Sequence, residues 1–222
     1  MREFGLRARR PYIGFPLTRA RRARRMAWLA AHGPRQFPMR QWRRVFFTYE
    51  SRFTLIRPDG RRRGERFTDA CVLERMVWGG ISHGLKSPLI VIAGNLTGVR
   101  YRDEILRLVA VPFVQQHHLI FQQHNAWPHV ARVCQDFLAN HSINPLDWPP
   151  YNPDLSPIEH LWDEMDRRVR ERRNSPATLD QLRVALLEEW DNIPIRRINA
   201  LMNSMHRRIR AVTDVRGGHT RY

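Results

Sequence analysis

Two flanking motifs, F-Q-Q-H-N-A-W-P-H (Phe121–His129) and W-P-P-Y-N-P-D-L-S-P-I-E-H-L-W (Trp148–Trp162), carry the most informative pattern in this 222-residue chain. Leu119, Ile120 and Phe121 form a short apolar run of the kind found in buried strands. Pro128 to Asn140 is amphipathic through Val130, Val133, Cys134, Phe137 and Leu138, which predicts one helix. Ile143–Trp148 is brief and extended, and four prolines between Pro149 and Pro157 predict an irregular loop. Ser156-Pro157-Ile158-Glu159 then opens a helix, with a cap residue, proline at the first position and a glutamate three after the cap. Its apolar stripe is Ile158, Leu161, Trp162, Met165 and Val169.

Upstream, V-F-F-T-Y from Val45 and the alternating E-S-R-F-T-L-I after it predict two tightly joined strands. Arg57–Gly64 reads as a turn, and Ala70–Val72, Met76–Ser82 and Pro88–Ile92 as further strand segments. Gly79 and Gly80 mark a bulge or a close backbone approach. Tyr101–Gln116 has a helical pattern that Pro112 is expected to kink or end. Downstream, a helix capped by Thr178 with Gln181 precedes another over Ile195–Val212. Strands first, then a crossover helix, another strand and more helices describe an α/β sandwich with a mixed central sheet.

Residues 1–44 hold thirteen arginines against one acid, Glu3, and four prolines, so they read as a basic arm, with the core beginning near Trp42 and residues 45–222 forming one domain. Inside that arm Thr18 is placed to cap a helix to about Ala31, with Ala23, Met26, Ala27 and Ala30 on its apolar face. The whole chain carries a net charge of +17, and Lys86 is its sole lysine. A guanidinium surface of this size implies a nucleic-acid partner, because arginine forks match phosphate oxygens and the field recruits a polyanion without sequence preference. The candidates for phosphate contact are Arg19, Arg21, Arg22, Arg24 and Arg25 in the arm and Arg61, Arg62 and Arg63 in the turn. A cluster such as R-A-R-R-A-R-R suits nuclear import or phosphate binding, with a merely solvated helix face as the alternative, and a nuclear location is expected. Two cysteines, Cys71 and Cys134, suggest neither a disulfide framework nor a zinc site, and no apolar run is long enough for a membrane span.

Together Y-E-S-R-F, V-W-G-G-I-S, Q-Q-H-N-A-W-P-H, W-P-P-Y-N-P-D-L-S-P-I-E-H-L-W and the terminal R-G-G-H-T-R-Y resemble the catalytic domain of Tc-one/mariner-type transposases. The resemblance covers nearly the whole chain in order. It implies a ribonuclease-H-like fold, DNA as partner, pairing with itself or with related transposases, and Mg²⁺ or Mn²⁺ held by an Asp, Asp, Glu triad. Carboxylates suit that chemistry because two hard cations activate the attacking oxygen and stabilise the leaving one. The family motif D-E-S-R-F falls on Tyr49–Phe53 and Q-D-N-A-x-P-H on Gln123–His129, while the glutamate falls on Glu159 with 34 residues between it and His124.

Tyr49 and His124 therefore stand where the resemblance expects aspartates. A phenol is a poor ligand and an imidazole suits Zn²⁺ or Mn²⁺ better than Mg²⁺, so the triad is degenerate and cleavage is not expected. Glu50 is excluded as a replacement for Tyr49, because neighbouring strand residues face opposite ways. Asp154 is the less excluded substitute ligand beside Glu159 and His124. Without the aspartates, Glu159 reads first as a capping-box residue, and His129 as either a supporting group or a helix-surface histidine. The family's helix-turn-helix pair has no counterpart ahead of residue 45, where only the basic arm stands. The resulting expectation is a transposase-derived, catalytically silent DNA-binding protein. The alternatives are an inhibitor that pairs with active transposases and an element relic without function.

Overall fold

The computed structural model describes residues 17–55, 73–149, 152–220 and 222. A five-stranded mixed sheet lies at the centre, with helices on both faces. The strands are β1 (Val45–Thr54), β2 (Glu74–Ser82), β3 (Leu85–Lys86), β4 (Ile90–Ile92) and β5 (Ile120–Gln122). Their order is β3-β2-β1-β5, and β4 also pairs with β2. β1 runs antiparallel to β2, in register from Phe47 opposite Ile81 to Thr54 opposite Glu74, and parallel to β5.

The two strands expected from Val45 onward are one continuous strand of ten residues, because the apolar run and the alternating run share a single period of two. Val45, Phe47 and Phe53 enter the larger core, whereas Phe46 enters the smaller one on the opposite face. The β1–β2 register passes unbroken through Gly79 and Gly80, so these glycines are sites of close approach and not a bulge. A Cβ on Gly79 would lie 3.1 Å from both Trp162 and Trp190, whose rings stack at 5.3 Å. A Cβ on Gly80 would lie 2.3 Å from the Phe46 ring. Gly80→Ala is accordingly expected to destabilise the protein by about 1–3 kcal/mol, read as a lower denaturant midpoint with an unchanged slope.

On the smaller-core face, α3 (Gly98–Arg100) runs into a π-helical stretch, Tyr101–Ala110, and then α4 (Val111–Gln116). Pro112 neither ends nor breaks this segment. The backbone widens ahead of the proline, so that the Val111 amide donates five residues back to Leu106, which relieves the crowding a proline ring imposes on the preceding turn. The helix expected over residues 128–140 is two, α5 (Trp127–Val130) and α6 (Arg132–Asn140), because Ala131 adopts an extended ψ of 136°.

The larger core is covered by α7 (Pro157–Glu171), α8 (Leu179–Asp191), α9 (Ile195–Met202) and α10 (Met205–Asp214). The last two replace the single expected helix over Ile195–Val212. Thr178 caps α8 as expected, accepting from the Gln181 amide at 3.2 Å while the Gln181 side chain accepts from the Ala177 amide at 2.8 Å. Lys86, the sole lysine, donates to the carbonyls of Trp190, Asp191 and Ile193, closing the C-terminal end of α8.

The basic arm needs correction. α1 (Arg19–Ala31), capped by Thr18, and α2 (Met39–Trp42) are part of the domain, and the core begins before Trp42. The buried face of α1 is Arg25, Trp28 and Leu29 instead of the alanine face read from the sequence. Trp28 donates to the Asp147 carbonyl at 2.6 Å and packs edge-on against Trp148. The turn at Arg57–Gly64, the strand segment at Ala70–Val72, Cys71 and Arg61, Arg62 and Arg63 lie outside the described residues. Cys134 is free and buried.

Candidate functional site

The parallel register of β1 and β5, Phe47 opposite Gln122, carries the chain two residues further to Tyr49 and His124 side by side. Their rings lie 4.3 Å apart. Thr48 fastens the two strands by donating to the Gln122 carbonyl at 2.8 Å. Beyond β5, Asn125 donates to the Trp148 carbonyl at 3.0 Å, which draws the two sequence motifs together. Glu159, in the first turn of α7, completes the wall of a cavity of about 390 Å³ that Tyr49 and His124 also line. The three residues on which the resemblance places the triad therefore converge on one sheet edge.

The chemistry of that edge is not that of a carboxylate triad. Burial, then the charge of Glu159, then that of Glu50 push the Tyr49 phenol up to about 12, so it stays protonated. Burial and the charge of Asp163 raise the Glu159 carboxyl to about 7. Burial lowers His124 to about 4, against the opposing pull of Glu50, so its imidazole is neutral. One half-ionised carboxylate, one neutral imidazole and one phenol do not satisfy a hard cation that demands anionic oxygens. These three residues do not fit a two-ion Mg²⁺ site.

The capping role for Glu159 also fails. Ser156 makes no side-chain cap bond, and its hydroxyl is buried without a partner among the described residues. The threonines that do cap, Thr18, Thr97 and Thr178, have ψ of 163°, 166° and 161°, whereas Ser156 has 115°, which carries its oxygen away from the helix amides. The Glu159 side chain makes no hydrogen bond among the described residues and faces the cavity.

Asp154 does not line the cavity: its Oδ2 is occupied by Arg25 at 2.7 Å and by Thr220 at 3.2 Å, and its Oδ1 is buried without a hydrogen-bond partner among the described residues. The same pair withdraws Arg25, 1% exposed, from the arginines expected to meet phosphate. Arg19, Arg22 and Arg24 are exposed on α1, and Arg21 is half-buried.

Glu50 and His129 form a partnership that the sequence reading did not assign. As expected from strand alternation, Glu50 leaves the cavity with Glu159 to Tyr49, yet it enters an adjoining one that His124 also lines. His129, expected to be a supporting or surface histidine, is 1% exposed, which excludes the surface alternative. Its Nδ1 donates to the His124 carbonyl at 2.9 Å, while its Nε2 meets Glu50 Oε1 at 3.0 Å. Tyr101 stacks on the His129 ring at 4.0 Å. The signal available in the sequence was the five-residue spacing of His124 and His129 within one motif.

The architecture is a mixed α/β domain with its candidate site at one sheet edge. The model for the DDE superfamily endonuclease family matches residues 46–183, and the chain belongs to that family. Within it, the relatives are transposases of the Tc1/mariner type. The chain is 32% identical over 240 residues to the Tcb2 transposase of Caenorhabditis briggsae, a match spanning 100% of this chain and 85% of the relative. It is 31% identical to the Tc1 transposase of Caenorhabditis elegans over the same shares. Among solved structures, the catalytic domain of the Mos1 mariner transposase superposes with a TM-score of 0.71 at 16% identity, covering 94% of this chain and 100% of that one. The Mos1 paired-end complex with Mn gives a TM-score of 0.76 at 14% identity, covering 96% and 68%. The fold is thus ribonuclease-H-like, as the sequence resemblance implied.

Proposed function

We propose that this chain is a DNA-binding protein derived from a DNA transposase, with the fold kept and metal-dependent phosphodiester cleavage lost. The observation that carries this reading is the Tyr49–His124 ring pair at the sheet edge, where the resemblance places two carboxylates, with Glu159 the sole acid of the matched triad across the cavity. A site that must collect two divalent cations has there two uncharged rings in contact. Membership among transposases and a net charge of +17 support DNA as the partner.

Nicking of supercoiled plasmid in Mg²⁺ and in Mn²⁺, beside a Glu159→Ala protein, tests the loss of cleavage. Equal, background-level nicking by both proteins is expected. Nicking by the parent chain that the substitution abolishes would overturn the reading.

Binding is expected to rest on phosphate contacts made by arginines such as Arg19, Arg22 and Arg24, so it should weaken at least tenfold between roughly 50 and 200 mM salt. Fluorescence anisotropy with two labelled duplexes of unrelated sequence should give similar affinities at each salt concentration. Salt-independent affinity, or a strong preference for one duplex, would contradict it. Replacing the three arginines together should lower the salt slope by roughly one for each phosphate that they neutralise.

A further inference from the structure

We propose that Glu50, His124 and His129 form a transition-metal site, selective for Zn²⁺-like ions over Mg²⁺, beside the degenerate triad and sharing His124 with it. The donor atoms all lie within 4.8 Å of one another. Glu50 turns one carboxylate oxygen to each imidazole: Oε1 is 3.0 Å from His129 Nε2, and Oε2 is 3.5 Å from His124 Nδ1. Ligands held about 2.1 Å from a tetrahedral ion stand about 3.4 Å apart, so these separations already approximate a coordination shell.

The hydrogen bonds leave the correct atoms available. Because the His124 carbonyl can only accept, Nδ1 of His129 carries the proton in their 2.9 Å bond, and an ion would coordinate Nε2 by displacing the proton that Nε2 shares with Glu50 Oε1 across 3.0 Å. This is the arrangement in which an outer hydrogen bond fixes tautomer and ring orientation for a metal ligand. The Tyr101 ring holds the His129 plane from its other side. His124 Nδ1 is buried and has no hydrogen-bond partner among the described residues, so a donor atom waits on the inner side of the cluster.

Two imidazoles and one carboxylate favour Zn²⁺ and its neighbours over Mg²⁺, which is the reverse of the preference of a three-carboxylate triad. Three protein ligands leave a fourth position, and the cluster lines a cavity of about 480 Å³ through which solvent can supply it. An ion bound here would tie β1, the chain leaving β5 and α5 into one unit. His124, in place of an aspartate, is the residue that converts the edge from one metal preference to the other.

The test uses the whole chain, stripped with EDTA and then dialysed. Calorimetric titration with Zn²⁺ should show one saturable site that Mg²⁺ neither fills nor competes for, and Zn²⁺ should raise the melting temperature. Co²⁺ should give the visible absorption of a four-coordinate ion. Glu50→Gln and His124→Asn, both conservative at half-buried positions, should abolish the Zn²⁺ site and the Co²⁺ band. Absence of saturable Zn²⁺ binding, or equal binding by both variants, would overturn the proposal, the latter by assigning the ion to other histidines of the chain. If either variant fails to melt cooperatively, the Co²⁺ spectrum of the parent chain decides: an intense four-coordinate band upholds the site, and a weak six-coordinate spectrum overturns it.

Discussion

Arg25→Ala should lower the stability of the fold by about 3–5 kcal/mol, whereas Arg24→Ala, one position earlier on α1, should change it by less than about 0.5 kcal/mol. Both residues belong to the same basic run, but only Arg25 is buried. Its guanidinium donates to Asp154 Oδ2 at 2.7 Å and to the Gly218 carbonyl at 3.2 Å, linking α1 to the turn before α7 and to the C-terminal segment. Thr220 adds a bond to the same carboxylate oxygen. Arg208, also buried, donates to the Asp154 backbone carbonyl at 2.8 Å and to Ser204 at 2.9 Å.

Truncating Arg25 leaves the Asp154 carboxylate buried without its principal counter-charge, and the loss is dominated by that unpaired ion. The double change Arg25→Leu with Asp154→Asn should therefore recover most of the stability, since it removes both charges together. Urea unfolding of the parent and of each variant at one pH measures all three. A cost below about 1 kcal/mol for Arg25→Ala would show that solvent reaches Asp154 and screens it. The same reasoning separates α1 into two functions: its inner arginine holds the fold, and its outer ones remain for phosphate.

That division could not be read from the run R-A-R-R-A-R-R, because Asp154 lies 129 positions away and nothing local distinguishes Arg25 from its neighbours. What the sequence did expose was local or periodic. The Thr178–Gln181 cap and the strand at β5 follow from local pattern, Gly79 and Gly80 marked either a bulge or the close approach that is found, and the convergence of Tyr49, His124 and Glu159 is what the family resemblance implied. β1 stays a single strand where its continuous apolar run changes to alternation, because that change marks the end of burial on both faces and not a chain reversal. The Glu50–His129 pair spans 79 positions and two elements, so it emerged only once the sheet had placed β1 beside the end of β5. Ser156 carried the sequence signature of a cap without its backbone geometry. Local signals thus located the edge, and long-range contacts decided which of its side chains are paired.

Glu159→Gln and His124→Asn should give stability profiles with opposite dependence on pH, while the parent chain stays comparatively flat between about pH 4.5 and 6.5. Glu159 is raised from 4.5 to about 7 by burial and by Asp163, so between those values the folded chain binds more protons than the unfolded chain. Its contribution to stability is full below pH 4.5 and falls as pH rises through about 7. His124 is lowered from 6.5 to about 4, mainly by burial, with Glu50 opposing and His129 reinforcing the shift. Between those values the unfolded chain binds the extra proton, so stability rises with pH. Each displacement corresponds to roughly 3 kcal/mol at most, and across the shared window the two slopes cancel. Glu159→Gln removes the falling component, so its stability should climb by roughly 3 kcal/mol from about pH 4 to 6.5, and at about pH 8 it should exceed the parent. His124→Asn removes the rising component, and its stability should decline by a similar amount from about pH 4.5 to 7. Urea midpoints taken in EDTA across roughly pH 4 to 8, and compared as differences from the parent, isolate these two groups from the other titrating residues. Parallel profiles for all three proteins would mean that the sheet edge is more hydrated than its packing indicates. The physical basis is the same one that disfavours hard-cation binding there: an edge that resists charge on Glu159, Tyr49 and His124 alike cannot gather the anions that two divalent ions require.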